Sequence, residues 1–333
     1  MLLLDRFVNE YWPERIGEIR QKEGGWNNST FVILNGNKRS VLRIYNTHKD
    51  RGKIEFEHRV LERLAACPLA FAVPTPIAAR NGETIARLDD GSGRYACLFS
   101  YIEGAAAVAD ISDYAWSFGQ AAGGLTAALA AIDPAIPPVY PPYYRLKEAY
   151  PLCDSDTVLD FCRNPHEPFR HLKGELALLE TAYTAAMSSL DGLEKLPHQL
   201  VHGDLNGSNL LLDPLSPSKV SALLDFEFCT WDVRAMEAAV ILSGMLGTER
   251  EREAVRSFCE GYAGKVRLLG EEIEALPILL RLRVVDVFLH FLSRYLHGTD
   301  DSVVLVQQIG SQASSLKQLD GKEWLSREIG ILV

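Results

Sequence analysis

The sequence predicts an α+β chain with two lobes: a small antiparallel β lobe with one helix over residues 1–103, and a larger, mainly helical lobe over residues 104–333. Three observations carry that expectation. Runs rich in β-branched and aromatic residues, Ser29–Leu34, Ser40–Tyr45 and Ala96–Ile102, lie in the first part. After Gly104 the texture turns alanine-rich, with long helical patterns. The one strand-like exception there is a pair of apolar runs, Leu210–Leu212 and Val220–Leu224, separated by the turn-rich Asp213-Pro-Leu-Ser-Pro-Ser218; together they read as a hairpin.

In chain order, residues 1–22 read as a short helix followed by a strand, and Gly24–Thr30 as a turn-rich loop. Asn35-Gly-Asn-Lys38 is a hairpin signal between the first two long β runs. A helix is expected from about Lys53 to Ala66, where Phe56, Val60 and Leu64 recur at i, i+4 and i+8 and form its buried face. The run Ala96–Ile102 is a further strand, ended by Glu103-Gly104. Trp116–Ile132 is alanine-rich and helical, and Ala135-Ile-Pro-Pro-Val-Tyr-Pro-Pro142 is a proline-rich connector. Further helices are expected at about 168–190, 234–246, 250–268 and 277–297. No internal repeat is evident.

The chain has 333 residues, 47% hydrophobic and 23% charged, as in an ordinary globular protein. No apolar run is long enough to span a bilayer, and Met1-Leu-Leu-Leu-Asp-Arg6 is too short and too early charged for a signal peptide, so a cytoplasmic location and no membrane partner are expected. Cys67, Cys97, Cys153, Cys162, Cys229 and Cys259 lack metal or disulfide spacing and read as reduced and mostly buried. The net charge of −10 is uneven: 15 Lys and Arg stand against 13 Asp and Glu in residues 1–103, but 19 against 31 in residues 104–333. A slightly basic first lobe suits a polyanionic nucleotide. An acidic second lobe attracts a cationic acceptor and repels nucleic acid.

The chemistry lies in two segments. Val201-His-Gly-Asp-Leu-Asn-Gly-Ser-Asn209 reads H-x-D-x-x-x-x-N, and Ala222-Leu-Leu-Asp225-Phe-Glu is an apolar run ending in an acid. This is the layout of a phosphoryl-transfer site. A phosphoryl group in flight spreads charge over its oxygens, so catalysis is mostly positioning and electrostatics. One carboxylate must orient and deprotonate the acceptor hydroxyl, and oxygen ligands must hold magnesium on the phosphates. Asp204 is placed as the base. Asn209 follows on the same short loop, and the hairpin returns Asp225 beside it, where both can ligate metal.

In the first lobe, the Gly25-Trp-Asn-Asn28-Ser29 turn leads into a strand, and its backbone N–H groups can reach phosphate oxygens. Arg43 stands where a phosphate-binding cation is needed, and Glu57 where its helix partner is needed. Ser100-Tyr-Ile102 is the expected hinge, where Ser100 and Ile102 offer backbone groups to adenine.

These motifs resemble the aminoglycoside phosphotransferase family, within the broader group of choline, homoserine and methylthioribose kinase-like proteins, over residues 16–297. The specific part is His202-Gly-Asp-Leu-Asn-Gly-Ser-Asn209 with Leu224-Asp-Phe-Glu227. Gly25-x-x-Asn28-x-x-Phe31, Val41-Leu-Arg43, Glu57-x-x-Val-Leu-x-x-Leu64 and Phe99-x-Tyr-Ile-Glu-Gly104 agree with the family's order. The resemblance implies a protein-kinase-like bilobal fold and an ATP- and magnesium-dependent kinase of a small-molecule hydroxyl. It implies Asp204 as catalytic base, Asn209 and Asp225 as magnesium ligands, and Arg43 with Glu57 at the nucleotide phosphates. The segment Asp232–Glu237 resembles the stretch that supports the catalytic loop. Two positions depart from the pattern: Arg43 replaces the usual Lys, and Glu237 stands where many members have Asp.

For the acceptor, the acidic second lobe suits an aminoglycoside-like or other amine. In the helix over 281–297, Arg283, His290, Arg294 and His297 form a polar face opposite Val284, Phe288, Leu292 and Tyr295, a stretch similar to the homoserine-kinase-like branch. An arginine there can hold a substrate carboxylate; a solvated basic face is the simpler reading of the same pattern and the preferred one. The alternatives to an amine kinase are therefore a homoserine-kinase-like enzyme for a carboxylate-bearing amino alcohol, or a nucleotide-binding pseudokinase. A hydrolase using Asp225 and Glu227 as a carboxylate pair is the weakest reading.

Overall fold

The computed structural model describes residues 2–22, 28–46 and 50–333. Helix α1 (Leu2–Tyr11) precedes strands β1 (Glu18–Lys22), β2 (Asn28–Asn35) and β3 (Lys38–Tyr45), then helix α2 (Arg51–Ala65) and strands β4 (Ala86–Arg87) and β5 (Tyr95–Ser100). The strands form one antiparallel sheet in the order β1-β2-β3-β5-β4. The β2–β3 turn is the expected one: Asn35 pairs with Lys38, and Gly36 takes a φ of 57° that glycine tolerates without steric cost.

The two-residue period of the strands sorts their side chains. Leu42, Ile44, Ala96 and Leu98 face one way and pack with Phe7, Val8 and Trp12 at the α1 end. Tyr45, Cys97 and Phe99 face the other way, into the main core beneath α2. Arg43 shares that second face. Asp50 caps α2 by accepting a hydrogen bond from the Gly52 N–H at 2.8 Å. The expected face of α2 is buried, with Phe56, Val60 and Leu64 joined by Ile54, Leu61 and Glu57.

The second part is mostly helical. Its elements are β6 (Ala105–Ala106), α3 (Ala115–Ala131), α4 (Leu146–Ala149), α5 (Ser155–Arg163), α6 (Lys173–Leu193), β7 (His198–Val201), β8 (Leu210–Asp213), β9 (Ser216–Leu223), β10 (Thr230–Val233), α7 (Ala235–Ser243), α8 (Glu251–Ala263), α9 (Gly270–Leu296), α10 (Ser302–Leu319) and α11 (Glu323–Ile329). The hairpin is not the only β structure there. β6 adds a third strand beside β8 and β9, and β7 pairs with β10. Strands of two and four residues are too short to declare a period.

Helix α9 begins at Gly270 and carries Pro277 inside it, whereas the sequence places its start at the proline. The missing N–H costs a hydrogen bond there, and burial of Ala275, Leu276, Leu279 and Leu280 keeps the helix continuous across it. The alanine and glycine content of α3 has a packing cause. A Cβ on Gly119 would lie 2.1 Å from the Phe258 carbonyl oxygen, and one on Gly261 would lie 2.2 Å from that of Trp116. Helices α3 and α8 therefore meet backbone to backbone, and no side chain fits the seam.

The main core runs without a break from Tyr45, Phe56, Val60, Leu64 and Phe99 to Phe118, Leu205, Leu223, Phe226, Phe258 and Phe288. All six cysteines are free. Among the described residues, no helix is long and apolar enough to cross a membrane.

Candidate active site

The hairpin closes the site as the sequence predicts. β8 and β9 pair Leu210 with Leu223, and the Leu224 N–H donates to the Asn209 carbonyl at 2.8 Å, which brings Asp225 alongside Asn209. The chain leaves β7 through Gly203 at φ 82°, where a Cβ would lie 2.5 Å from the Phe228 carbonyl oxygen. The loop then folds on itself: Asn209 Nδ2 donates to the Asp204 carbonyl at 2.8 Å and lies 3.4 Å from Asp204 Oδ2. Asn206 makes a second bond to that carbonyl, at 3.0 Å.

His202 is a fastener and not a chemical actor. It is fully buried, its Nε2 donates to the Leu224 carbonyl at 2.9 Å, and its Nδ1 accepts from the Asp204 N–H at 3.3 Å. Those partners require the neutral ring protonated on Nε2. Burial holds the imidazole below its ordinary pKa, which keeps it neutral. One ring thus ties the Asp204 segment to the segment that delivers Asp225.

Asp225 itself sits at φ 66° and ψ 65°, a left-handed backbone that costs a residue with a Cβ about 1–3 kcal/mol. β9 ends at Leu223, so Asp225 and Glu227 do not form the strand-face pair a hydrolase would need. The Asp225 Oδ1 is buried and makes no hydrogen bond, although Arg43 Nη1 is 3.0 Å away. The same Arg43 nitrogen lies 3.2 Å from Glu57 Oε1, and the Tyr45 hydroxyl donates to Glu57 Oε2 at 2.8 Å. Arg43 and Glu57 are therefore brought together as predicted, with Asp225 as a third member.

Glu227 joins this cluster from across the chain: Asn28 Nδ2 donates to its Oε2 at 2.7 Å. Burial, with Asp225 and Glu227 nearby, pushes Glu57 up to about 7 against the pull of Arg43 and Tyr45. Glu57, Asp225 and Glu227 gather around Arg43, with Lys53 also within electrostatic reach of Glu227. This carboxylate-rich setting, the buried Asp225 Oδ1 that accepts no hydrogen bond and an all-oxygen donor set fit a hard divalent cation such as Mg²⁺. Among the described residues no three carboxylate, histidine or cysteine side chains could enclose a metal alone. Asp225 and Asn209 would supply the protein ligands, with phosphate oxygens and water for the rest.

The remaining predicted nucleotide contacts are mixed. Gly25 lies outside the described residues. Asn28 and Ser29 belong to β2, paired with Tyr45 and Ile44, and not to a free turn. The Asn28 amide is committed to Glu227, and Ser29 Oγ accepts from Asn46 Nδ2 at 2.8 Å. The Ser100 N–H donates to the Thr75 carbonyl at 2.9 Å, so only its carbonyl remains for a base. Ile102 follows the end of β5.

Beside Asp204 opens a cavity of about 730 Å³ between the proline-rich connector, the loop over residues 203–208 and α9. The solvated-face reading of α9 is wrong, because Arg283, His290 and Arg294 all line this cavity. His297 alone of the four is exposed at the helix end. Arg283 Nη2 donates to Asp204 Oδ1 at 2.6 Å, and its Nη1 donates to the Tyr143 hydroxyl at 2.7 Å. Arg294 makes a two-point contact with Asp300 at 2.6 and 2.8 Å. Asp286, held up at about 6 by burial, accepts from the Tyr150 hydroxyl at 2.7 Å. Tyr143 donates onward to the Gly203 carbonyl at 2.5 Å, and its own N–H donates to buried Asp232 at 2.6 Å. Lys53, on α2, also lines the cavity, with its ammonium 3.7 Å from the Tyr140 ring centre. Tyr143, Tyr150, Asp286 and Lys53 carried no motif in the sequence. The tyrosines at the end of the connector and just after it, Tyr140, Tyr143, Tyr144 and Tyr150, were the available signal.

Glu237 does support the loop. Fully buried, it accepts the His202 backbone N–H at 2.5 Å, and desolvation pushes it up to about 7. A carboxyl raised in the folded state gives stability below its ordinary value of 4.5 that is lost as pH rises through 7. Glu237→Gln keeps the accepting oxygen and removes the titration. Relative to wild type, the variant gains roughly 2–3 kcal/mol between about pH 5 and pH 8, measured by urea unfolding. A difference that stays flat with pH contradicts this role.

Residues 18–273 match the family described as phosphotransferase enzyme family. A homoserine kinase of Rhizobium etli (strain CIAT 652) is 24% identical over 311 residues, spanning 90% of this chain and 87% of that protein. Among solved structures, a microcompartment-associated aminopropanol kinase superposes with a TM-score of 0.72 at 19% identity, covering 98% of both chains. An amicoumacin kinase, solved in complex with AMP-PNP, Ca²⁺ and Ami, gives a TM-score of 0.67 at 16% identity over 97% of this chain and 93% of its own.

Proposed function

The chain belongs to the phosphotransferase enzyme family, and on that premise we propose that it transfers the γ-phosphoryl group of ATP, with Mg²⁺, to the hydroxyl of a small amine-bearing alcohol. Asp204 is the general base. The observation that carries this reading is the chain of contacts that links Asp204 to Asn209, the Asn209 backbone to the residue before Asp225, and Asp225 to Arg43, with Asp204 itself lining the cavity.

The acceptor enters beside Asp204 and gives its proton to that carboxylate as its oxygen attacks the γ-phosphorus. The bond to the β-phosphate oxygen breaks, leaving ADP and a phosphate ester. Arg43, held by Glu57, neutralises phosphate charge and stays cationic beside its carboxylates. Bound Mg²⁺, on Asp225 and Asn209, would neutralise developing charge on the phosphate oxygens. His202 and Glu237 keep the loop in register, so the site is preorganised before substrate arrives.

A cavity that mixes Asp204 and Asp286 with Arg283 fits a short polar molecule. The relatives named for homoserine and aminopropanol support the amino alcohol class. The test is ADP release from MgATP across a panel of short amino alcohols, hydroxy amino acids and aminoglycosides. Acceptor-dependent turnover with a short amine-bearing alcohol, with or without a carboxylate, confirmed by mass of the phosphorylated product, is expected. Magnesium-dependent ATP binding with no turnover on any member would favour a pseudokinase.

A further inference from the structure

Resting on the kinase reading above, we propose that Arg283 is both the acceptor's carboxylate receptor and a lock on the base, released when that carboxylate arrives. The argument starts from Asp204. One of its oxygens, Oδ1, is taken by Arg283 Nη2 at 2.6 Å, and Asn209 Nδ2 approaches the other at 3.4 Å. An acceptor hydroxyl that needs Oδ1 must displace or share the guanidinium. Arg283 is anchored on one side only by the Tyr143 hydroxyl, with Asp286 Oδ2 at a looser 3.5 Å.

The chemistry of exchange selects the ligand. Water or a neutral alcohol cannot replace a charge-assisted carboxylate contact. An amine without a carboxylate meets like charge at Arg283. A substrate carboxylate gives the guanidinium a partner of the same kind as the one it leaves, so the exchange is nearly balanced. Arg294 is not an equal candidate, because Asp300 already holds it by two contacts. Once Arg283 turns to the substrate, Asp286 faces the same space with its second oxygen and suits the ammonium. The acceptor class is therefore a short hydroxy amino acid, with its hydroxyl on Asp204, carboxylate on Arg283 and ammonium at Asp286. The lock also has a protective effect: with Oδ1 held by Arg283 and Oδ2 facing Asn209, a water molecule in the cavity meets a weakened base, and ATP hydrolysis is slowed until an acceptor binds.

The experiment measures two quantities on wild type, Arg283→Lys, Arg283→Gln and the double variant Arg283→Gln/Asp204→Asn. The first is ADP formed from MgATP without acceptor. Arg283→Gln should raise it roughly tenfold, and the added Asp204→Asn should abolish the rise. A gain of this kind cannot come from misfolding. The second is kcat/KM for homoserine against the amino alcohol of the same chain length that lacks the carboxylate. Wild type should prefer homoserine by roughly 10²-fold, lost in Arg283→Gln mainly through KM and partly kept in Arg283→Lys. Unchanged acceptor-free hydrolysis in Arg283→Gln overturns the lock. Wild-type preference for the carboxylate-free alcohol overturns the receptor role while leaving the kinase reading intact. Absence of magnesium-dependent ATP binding in wild type removes the kinase reading itself.

Discussion

Asp204→Asn is expected to lower kcat with the preferred acceptor by roughly 10²–10⁴ while leaving ATP binding within a few-fold of wild type. The reason is positional. Asp204 is held by its own backbone, through bonds from Asn206 and Asn209 to its carbonyl and from its N–H to His202, so the substitution changes the side chain without moving the loop. In the proposed reading the phosphates are handled elsewhere, by Arg43 and the Asp225 side of the site. Steady-state turnover and calorimetry with a non-hydrolysable nucleotide separate the two effects. Unchanged turnover would reject Asp204 as base. A parallel collapse of nucleotide affinity would mean that the residue shapes the loop instead.

Asp225→Asn is expected to act on the other half of the reaction. Wild type should bind ATP more tightly with magnesium, the variant should show no magnesium dependence, and turnover should fall by roughly 10³-fold or more. The orphaned, buried Oδ1 and the surplus of carboxylates around Arg43 are the physical basis. An amide in that place removes one unit of the negative charge that a divalent ion answers. Apo stability should change little or rise, since the cluster of Glu57, Asp225 and Glu227 loses mutual repulsion. Retained magnesium dependence would place the ion elsewhere. The two variants together are diagnostic: one loses chemistry with binding intact, and the other loses ion-assisted binding first.

The arrangement proposed to carry catalysis was legible because its parts are close in sequence. Asp204 and Asn209 share one loop, and a hairpin with clear turn residues returns Asp225 to them. Arg43 and Glu57 were readable because a strand and the next helix leave few ways to face each other. The cavity beside Asp204, proposed as the acceptor half, was not legible, for a different reason. Arg283 reaches Asp204 from 79 residues away, and Tyr150 reaches Asp286 from 136. Each of these looks in sequence like an ordinary surface polar residue, and only tertiary packing turns it inward. The polar face of α9 illustrates this: periodicity identified the face correctly, and no local rule could say that it meets a cavity and not water. β6, β7 and β10 escaped for want of length, and α9 ran through Pro277 because buried apolar contacts on both sides outweigh one missing hydrogen bond.

The unbroken core has a consequence for how the molecule comes apart. The boundary at residues 103 and 104 is a change of texture in the sequence, but Phe56, Val60 and Leu64 from one side and Leu205, Leu223 and Phe226 from the other belong to one apolar cluster. Severing the chain there would leave two fragments, each with an oily face that its own residues cannot cover. Such halves would clump separately and be rescued by reassociation, and heating the intact protein would melt them as a single cooperative unit. The satellite cluster under α1 is the exception. It is small and peripheral, and it is where unravelling would begin.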